Sequence, residues 1–276
     1  YRSDLADRLP DGLSMPRALH AAEIDDRSAS LWLESIDTEP CAWTPEDFRE
    51  AAYLVGRLNA SASAGALASI GEHPFRNFAR TYVSGRIAGQ IEPALRDDRL
   101  WEHPVLRETF GGDLRNDLRR ALVAVPGYLD ELDRLPLGAA HGDTCPNNLL
   151  RSPGRDGFVL IDFGFWSTQP LGFDLAQLVF GEVQLGRTPA SSIPAIEAAS
   201  LDGYVAGIRD EGSDLGADDL RRGYLLKALI YVGLSALPFE DLDGPLDSAV
   251  VERARERAAI ARYLLEAVHD TAPIAA

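Results

Sequence analysis

Three polar side chains in the middle of the chain have types and a spacing that suit chemistry on phosphate. Asp143 and Asn148 lie in the run His-Gly-Asp-Thr-Cys-Pro-Asn-Asn (141–148), and Asp162 follows the apolar run 158–161. Magnesium prefers oxygen ligands, typically one or two carboxylates together with substrate phosphates. With Asn148 and Asp162 as ligands, Asp143 is left as a base that orients a hydroxyl. This combination predicts phosphoryl transfer, in which positioning and charge neutralisation do most of the catalysis.

A β-hairpin is the element that must bring these side chains together. Apolar residues at 149–150 and 158–161 flank the segment 151–157, which holds Pro-Gly and Asp-Gly pairs. Such a pattern predicts two strands joined by a turn. The first two polar side chains lie in the loop that enters the hairpin, and the third lies where the hairpin ends. All three can therefore converge although they are distant in sequence.

Each of these residues also has a simpler explanation when it is taken alone. Asp and Asn are common in ordinary surface turns, because their side chains hydrogen-bond the neighbouring backbone. The joint spacing of all three residues favours the chemical interpretation over that of unrelated turns.

Three short motifs follow one another in this part of the chain: His141-Gly142-Asp143 with Asn148, Ile161-Asp162-Phe163-Gly164, and Gly172-Phe173-Asp174-Leu175-Ala176. In this order they resemble the motifs of the aminoglycoside phosphotransferase and choline kinase-like superfamily. The resemblance implies that Asp143 is the catalytic base and that Asn148 and Asp162 hold magnesium. It gives His141 and Asp174 a structural role in bracing the loop. A proton-carrying His141 is the alternative.

The same resemblance implies an α+β, protein-kinase-like fold. A mostly helical large lobe, 37–276, would carry the β-hairpin at the active site and the acceptor-substrate pocket. Residues 1–36 would be the C-terminal part of a small nucleotide-binding lobe, which is only partly present.

Two short strands are predicted within that small-lobe segment, at 16–20 and 30–36, with a turn between them. By the resemblance, the second strand runs into the hinge between the lobes. Backbone groups of Glu34, Ser35 and Ile36 would then bind the adenine. A plain strand end is the alternative explanation for these three residues.

Helical periodicity accounts for most of the remaining chain. Thr44-Pro45 predicts a helix start, with a hydroxyl cap and a proline in the first turn. Apolar spacing predicts further helices, with a break or kink at Pro126. These further helices are predicted at 113–135, directly after Asp174, and at 195–205, 220–237 and 250–268.

The composition of the 276 residues is that of an ordinary globular protein, 46% hydrophobic and 25% charged, with a net charge of −16. This charge disfavours nucleic acid and anionic membranes as partners. No apolar run reaches the ~18 residues of a membrane span, and the first residues lack the apolar region of a signal peptide. Cys41 and Cys145 are far apart and differ in context, so we expect no disulfide and a reducing cytoplasm.

Two parts of a kinase-like site are missing from the sequence. It has no Gly-x-Gly-x-x-Gly loop to cover the phosphates, and its single lysine, Lys227, lies in a predicted late helix rather than in a strand. We expect that the chain begins inside the small lobe and that upstream strands carry both parts. The competing hypothesis is a pseudokinase or nucleotide-binding module without turnover. A metallohydrolase has little support, because the five histidines include no close-spaced pair.

The resemblance implies ATP or GTP and magnesium as cofactors, and a small molecule with a hydroxyl, an antibiotic or a metabolite, as the acceptor. Acidic residues after Asp174 would attract a cationic acceptor, with an aminoglycoside as the leading candidate, if they line its pocket, and Trp166 could stack on a ring or a cation there. The acidic residues are Glu182, Glu197, Asp202, Glu240 and Asp241. If these acids face solvent and Trp166 is core, a neutral macrolide or sugar is the alternative. The sequence leaves the oligomeric state open.

Overall fold

Seven short strands and ten α-helices form the described part of the chain. The computed structural model describes residues 1–38, 42–68, 78–242, 244 and 247–275. The strands are β1 (Leu13–Ser14), β2 (Ala18–Asp25), β3 (Ser28–Leu33), β4 (Leu137–Ala140), β5 (Leu149–Leu150), β6 (Phe158–Leu160) and β7 (Ser167–Pro170).

The helices build most of the molecule. They are α1 (Pro45–Ala60), α2 (Ala62–Gly65), α3 (Phe78–Tyr82), α4 (Glu92–Arg96), α5 (Pro104–Thr109), α6 (Gly111–Leu132), α7 (Phe173–Gln184), α8 (Ile193–Asp210), α9 (Ala217–Ala228) and α10 (Ser248–Asp270). Two π-helical segments, Val83–Ile91 and Leu229–Gly233, continue α3 and α9. Most buried apolar side chains belong to one contiguous core. No helix among the described residues is both long and apolar enough to cross a bilayer.

Two antiparallel strand pairs are nested, because β5 and β6 lie in the chain between β4 and β7. In the inner pair Leu149 of β5 lies opposite Leu160 of β6, and in the outer pair Ala140 of β4 lies opposite Ser167 of β7. β1 runs parallel to β6 and completes a three-stranded sheet. The loops 141–148 and 161–166 lie between the two pairs and therefore run side by side.

The inner pair confirms the predicted hairpin, although its strands are shorter than the apolar runs that predict it. The sequence pattern does not predict the outer pair. Its strands read Leu-Gly-Ala-Ala and Ser-Thr-Gln-Pro, and these lack the alternation of β-branched or aromatic residues that marks a strand.

β2 and β3 form a separate antiparallel hairpin, which confirms the predicted pair of strands in the first segment. The observed strands lie closer to their turn than predicted, because β2 extends to Asp25 and β3 already ends at Leu33. Glu34, Ser35 and Ile36 therefore follow the strand instead of ending it.

α1 begins where the sequence predicts. The hydroxyl of Thr44 accepts a hydrogen bond from Asp47 N, and the Asp47 carboxylate accepts one from Thr44 N at 2.8 Å. This reciprocal pair satisfies two backbone donors that the first turn of a helix leaves free.

α6 continues through Pro126, so the predicted break does not occur. Proline in a helix interior removes one hydrogen bond and costs about 3 kcal/mol. The buried residues of α6, Leu118, Ala121, Val125 and Leu129 among them, continue along one face on both sides of the proline. Packing of this face outweighs the local cost.

α1 and α8 cross closely because glycines occupy the contact. A Cβ built on Gly207 would lie 2.1 Å from the carbonyl oxygen of Tyr53, and one on Gly203 would lie 2.1 Å from that of Arg49. The backbones of the two helices are thus nearer than any other residue type would permit.

We expect Gly207→Ala to lower the free energy of unfolding by about 1–3 kcal/mol, because the methyl group must push α1 and α8 apart. Urea unfolding measures the change. The matched control is Gly127→Ala in α6, where a Cβ meets nothing within 4 Å. Alanine is the better helix former there, so this variant should be unchanged or up to ~1 kcal/mol more stable. Equal stability of the two variants would contradict the close crossing.

Candidate active site

The carboxylate of Asp174 holds the loop 141–148 against the start of α7. Asp174 is the second residue of that helix and is fully buried. Its Oδ2 accepts a hydrogen bond from His141 N at 2.9 Å, and its Oδ1 accepts one from Gly142 N at 2.8 Å. The hydroxyl of Thr144 donates to the backbone oxygen of Asp174 at 2.7 Å. Because a buried carboxylate must be hydrogen-bonded to be tolerated, these contacts determine where the loop lies.

Asn59 of α1 connects this carboxylate to the helical body. Its Nδ2 donates to Asp174 Oδ2 at 2.8 Å and to Ala139 O at 2.7 Å. Its Oδ1 accepts a hydrogen bond from the Tyr204 hydroxyl at 2.6 Å, and that hydroxyl accepts one from Gly172 N at 2.8 Å. Elements α1, β4, α7 and α8 therefore meet at one satisfied polar cluster.

His141 is buried and ties the two loops together. Its Nε2 lies 2.8 Å from the carbonyl oxygen of Ile161, and Asp143 N donates to its Nδ1 at 3.3 Å. One neutral tautomer, with the proton on Nε2, satisfies both contacts. Burial lowers the pKa of His141, although the carboxylate of Asp174 opposes the shift. This arrangement favours the bracing role over the proton-carrying alternative.

Asp143 and Asn148 meet across the loop. The Asn148 Nδ2 donates to the backbone oxygen of Asp143 at 2.8 Å and to its carboxylate at 3.1 Å. With the amide nitrogen used in this way, the Asn148 Oδ1 keeps no hydrogen-bond partner among the described residues. One oxygen of this amide is therefore available to a ligand.

Asp162 lies next to Asn148, because Ile161 N donates to the backbone oxygen of Asn148 at 3.0 Å. Asp162 has a φ of 61° and is the one non-glycine residue with positive φ in the described chain. Its carboxylate accepts a hydrogen bond from Gly164 N at 3.3 Å and is otherwise exposed. Left-handed residues of this kind are uncommon and cluster at functional sites.

Asn148 and Asp162 suit a hard divalent cation that brings further ligands with it. They offer an amide oxygen and a carboxylate, and magnesium usually takes one or two carboxylates and completes its shell with water and phosphate oxygens. No cluster of three or more His, Cys, Asp and Glu side chains within the described ranges could hold a metal. The donor set therefore fits a phosphate-associated magnesium better than a structural zinc.

A cleft of about 560 Å³ opens beside Asp162. Apolar residues of β3 line it, together with Trp166, whose Nε1 donates to the carbonyl oxygen of Leu67 at 2.9 Å. Trp166 thus lies on the side of the β2–β3 hairpin. Volume and lining suit a flat aromatic group of nucleobase size.

The three residues expected at the hinge follow β3. Glu34 N donates to Arg17 O at 3.0 Å, and its carboxylate accepts from Arg17 N at 3.0 Å. The bond from Arg17 N, aided by Arg155, lowers the pKa of Glu34. Ser35 is exposed and Ile36 half-buried, and their backbone groups make no hydrogen bond to other described residues. These groups remain available to a ligand.

The acidic residues expected around an acceptor each have a cationic neighbour. Four of them form ion pairs, Glu182 with Arg187 (3.3 Å), Glu197 with Arg221 (2.8 Å), Glu240 with Arg257, and Asp241 with Arg253 (2.7 Å). Asp202 is exposed on α8, near Arg49. Their charges are balanced locally, so a cationic acceptor stays a prediction without support from these contacts.

Lys227 also lies near the site, although the sequence predicts no role for it there. It is only 3% exposed on α9, and its ammonium lies 4.6 Å from the ring centre of Phe173 and 4.7 Å from that of Tyr231. Burial lowers the pKa of Lys227 to about 8, and the carboxylates of Asp174 and Asp143 oppose the shift. The signal that could have revealed this residue is a single lysine inside the apolar stretch 223–234.

Cys145 lies within the loop and fills space. A Cβ on Gly181 of α7 would lie 2.9 Å from the Cβ of Cys145, so the thiol side chain packs directly on that helix. Burial raises the pKa of Cys145 to about 11. Since the thiolate is the reactive form, this environment favours filling over reactivity. Cys41 lies outside the described residues.

Two comparisons with known proteins found similar proteins. A family model described as phosphotransferase enzyme family matches residues 4–207. An aminoglycoside phosphotransferase from Alicyclobacillus acidocaldarius superposes with a TM-score of 0.57 at 15% identity, over 92% of this chain and 76% of that one. A choline/ethanolamine kinase family protein from Mesorhizobium loti has a TM-score of 0.49 at 18% identity, over 96% and 81% of the chains. None of the curated proteins matches significantly. At 15% identity the likeness to the Alicyclobacillus structure shows a shared fold only.

We expect Asp174→Asn to lower the free energy of unfolding by about 1–3 kcal/mol, the cost of an unsatisfied buried donor. The new NH₂ group replaces an acceptor that faces only N–H groups, so at least one of them loses its partner. Urea unfolding measures the change. Asp156→Asn, in the exposed turn between β5 and β6, is the control and should differ from the native chain by less than ~0.5 kcal/mol. An Asp174→Asn protein of native stability would contradict the bracing role.

Proposed function

Because the chain belongs to the phosphotransferase enzyme family, we propose that it is a kinase that transfers the γ-phosphate of ATP to a hydroxyl of a small molecule. The observation that carries this proposal is the contact of the Asn148 amide with Asp143, at the hairpin end that also presents Asp162. A candidate base and two candidate metal ligands thus lie on the two adjacent loops 141–148 and 161–166, and Asp174 holds the first of these loops.

Asp143 is the base in this proposal. Its backbone N–H is bound by His141 and its carboxylate by Asn148, so the side chain has a defined direction before any acceptor arrives. The carboxylate accepts a hydrogen bond from the acceptor hydroxyl and so orients the hydroxyl oxygen toward the γ-phosphorus. It takes the hydroxyl proton during transfer. The neutral His141 supports this geometry and transfers no proton in the reaction.

Asn148 and Asp162 would hold magnesium, which when bound neutralises charge on the transferring phosphoryl group. The backbone bond from Ile161 to Asn148 sets the separation of these two ligands. The exposed carboxylate of Asp162 is open to an incoming nucleotide and its metal.

The nucleotide base would occupy the cleft between β3 and Trp166, with ATP or GTP as the donor. Free backbone groups at Ser35 and Ile36, next to Glu34, support binding of the base edge there. In this proposal 1–36 belong to the nucleotide-binding lobe and 37–276 to the lobe that carries the base and the acceptor.

We expect Asp162→Ala to abolish phosphoryl transfer, because Asp162 is the charged member of the ligand pair. Phosphate release from labelled ATP, with water and with a panel of small hydroxyl compounds as acceptors, measures the effect. Asp156→Ala removes an exposed carboxylate from the same hairpin and should retain activity. An Asp162→Ala enzyme with native turnover at ordinary magnesium would remove the residue from the metal site.

We expect Asp143→Asn to reduce turnover by about 100- to 10,000-fold, the usual contribution of a general base. The amide keeps the shape of the side chain but cannot accept the hydroxyl proton. Calorimetric titration with MgADP should give native affinity, because Asp143 does not hold the nucleotide. A loss below about tenfold would assign Asp143 a structural role. Native protein that binds MgADP but transfers phosphate to no acceptor would instead favour a binding module without turnover.

A further inference from the structure

Lys227 is the only lysine of the chain, and its side chain is buried with no oxygen partner for the ammonium among the described residues. The side chain is 3% exposed, and among the described residues it makes no hydrogen bond and no ion pair. The ammonium lies over the faces of two aromatic rings, 4.6 Å from the ring centre of Phe173 and 4.7 Å from that of Tyr231.

Two rings do not satisfy an ammonium group. It has three N–H donors and no acceptor, and attraction to a ring is small beside the cost of removing an unpaired charge from water. Asp174 attracts the ammonium through space, but the oxygens of its carboxylate already accept N–H groups of Asn59, His141 and Gly142. The donors of Lys227 are therefore open to an anionic oxygen supplied by a ligand.

Lys227 lies apart from the cleft beside Asp162. Its aromatic neighbour Phe173 is the first residue of α7, directly before Asp174. The cleft beside Asp162 is lined by β3, the first residues and 162–166, and Lys227 takes no part in that lining.

The wall next to Lys227 carries further positive charge. Tyr231 stacks on Tyr82 with ring centres 4.2 Å apart, and both rings line a cavity of about 350 Å³ together with Arg86 and Arg257. Glu240 pairs with Arg257, whereas Arg86 has no ion-pair partner among the described residues. Arg86 and Tyr231 lie on the two π-helical segments, a distortion that is frequent at functional sites.

We propose that Lys227 binds an anionic group of the acceptor, so that the acceptor is a hydroxyl compound that carries a carboxylate or a phosphate. The inference rests on the proposed function in one respect, since the hydroxyl of the bound anion is the group that Asp143 orients. A cationic acceptor would meet repulsion from an ammonium that no carboxylate neutralises by direct contact.

The single lysine makes a direct test practical. Protein produced with ¹³Cε-labelled lysine gives one lysine methylene signal, which reports on Lys227 alone. Glycerate and glycerol 3-phosphate serve as the anionic probes, and choline and glycerol as the cationic and neutral ones, all at constant ionic strength. We expect a saturable shift with an anionic probe and none with choline or glycerol. The stronger of the two anions identifies the group as carboxylate or phosphate.

Three outcomes of this titration would overturn the proposal. A shift with MgADP but with neither anion would assign Lys227 to the nucleotide phosphates. An equal shift with choline would remove the selectivity for charge. No shift with either anionic probe would make Lys227 a structural cation held by its rings.

Substitution gives the second measurement. Lys227→Met keeps the length of the side chain without its charge, a change that buried sites commonly tolerate. We expect the affinity for the anionic probe to fall about 10- to 100-fold. Arg99→Met removes an exposed cation and should leave that affinity unchanged. Native affinity in Lys227→Met would overturn the proposal. If this variant fails to fold, the titration of the native protein decides.

The two proposals fail in different experiments. Anion binding with no phosphoryl transfer to any acceptor would remove the kinase and keep the anion site. Transfer to choline or glycerol, but not to the anionic compounds, would keep the kinase and remove this inference.

Discussion

The candidate site depends on one buried charge, the carboxylate of Asp174. A carboxylate without hydrogen bonds would be expensive in this position, and three N–H groups from α1 and from the loop satisfy it. Since the donors of the loop are backbone groups, the requirement to pair them determines the course of the main chain itself. The position of the loop that carries Asp143 therefore depends on the burial of Asp174.

The nested hairpin converts this local restraint into a site. Neither strand pair is long, and isolated pairs of this size are marginal in water. Between them, however, the loops 141–148 and 161–166 have both ends anchored, and α1 and α8 support the outer pair through Asn59 and Tyr204. The close crossing of those two helices is accordingly part of the architecture of the site.

Charge at the site differs from the charge of the chain. The net charge of −16 describes the outer field of the protein, which concerns solubility and encounter rather than recognition at a particular contact. Arginines pair with four of the five acidic residues predicted to line the acceptor pocket. The ammonium of Lys227 has no such partner among the described residues.

The sequence could predict those features that depend on interactions between residues close together in the chain. The turn formers at 151–157 and the cap at Thr44 act within a few residues, so the hairpin and the start of α1 were predictable, and the order of the three motifs indicated the family. Only the tertiary structure decided the β4–β7 pair, the continuation of α6 through Pro126, and the positions of Asn59, Tyr204 and Lys227. Each of these depends on contacts between residues far apart in the chain, where packing and the pairing of buried polar groups outweigh local preference. Lys227 shows this most clearly, because nothing in its neighbours along α9 predicts that Phe173 lies beside it.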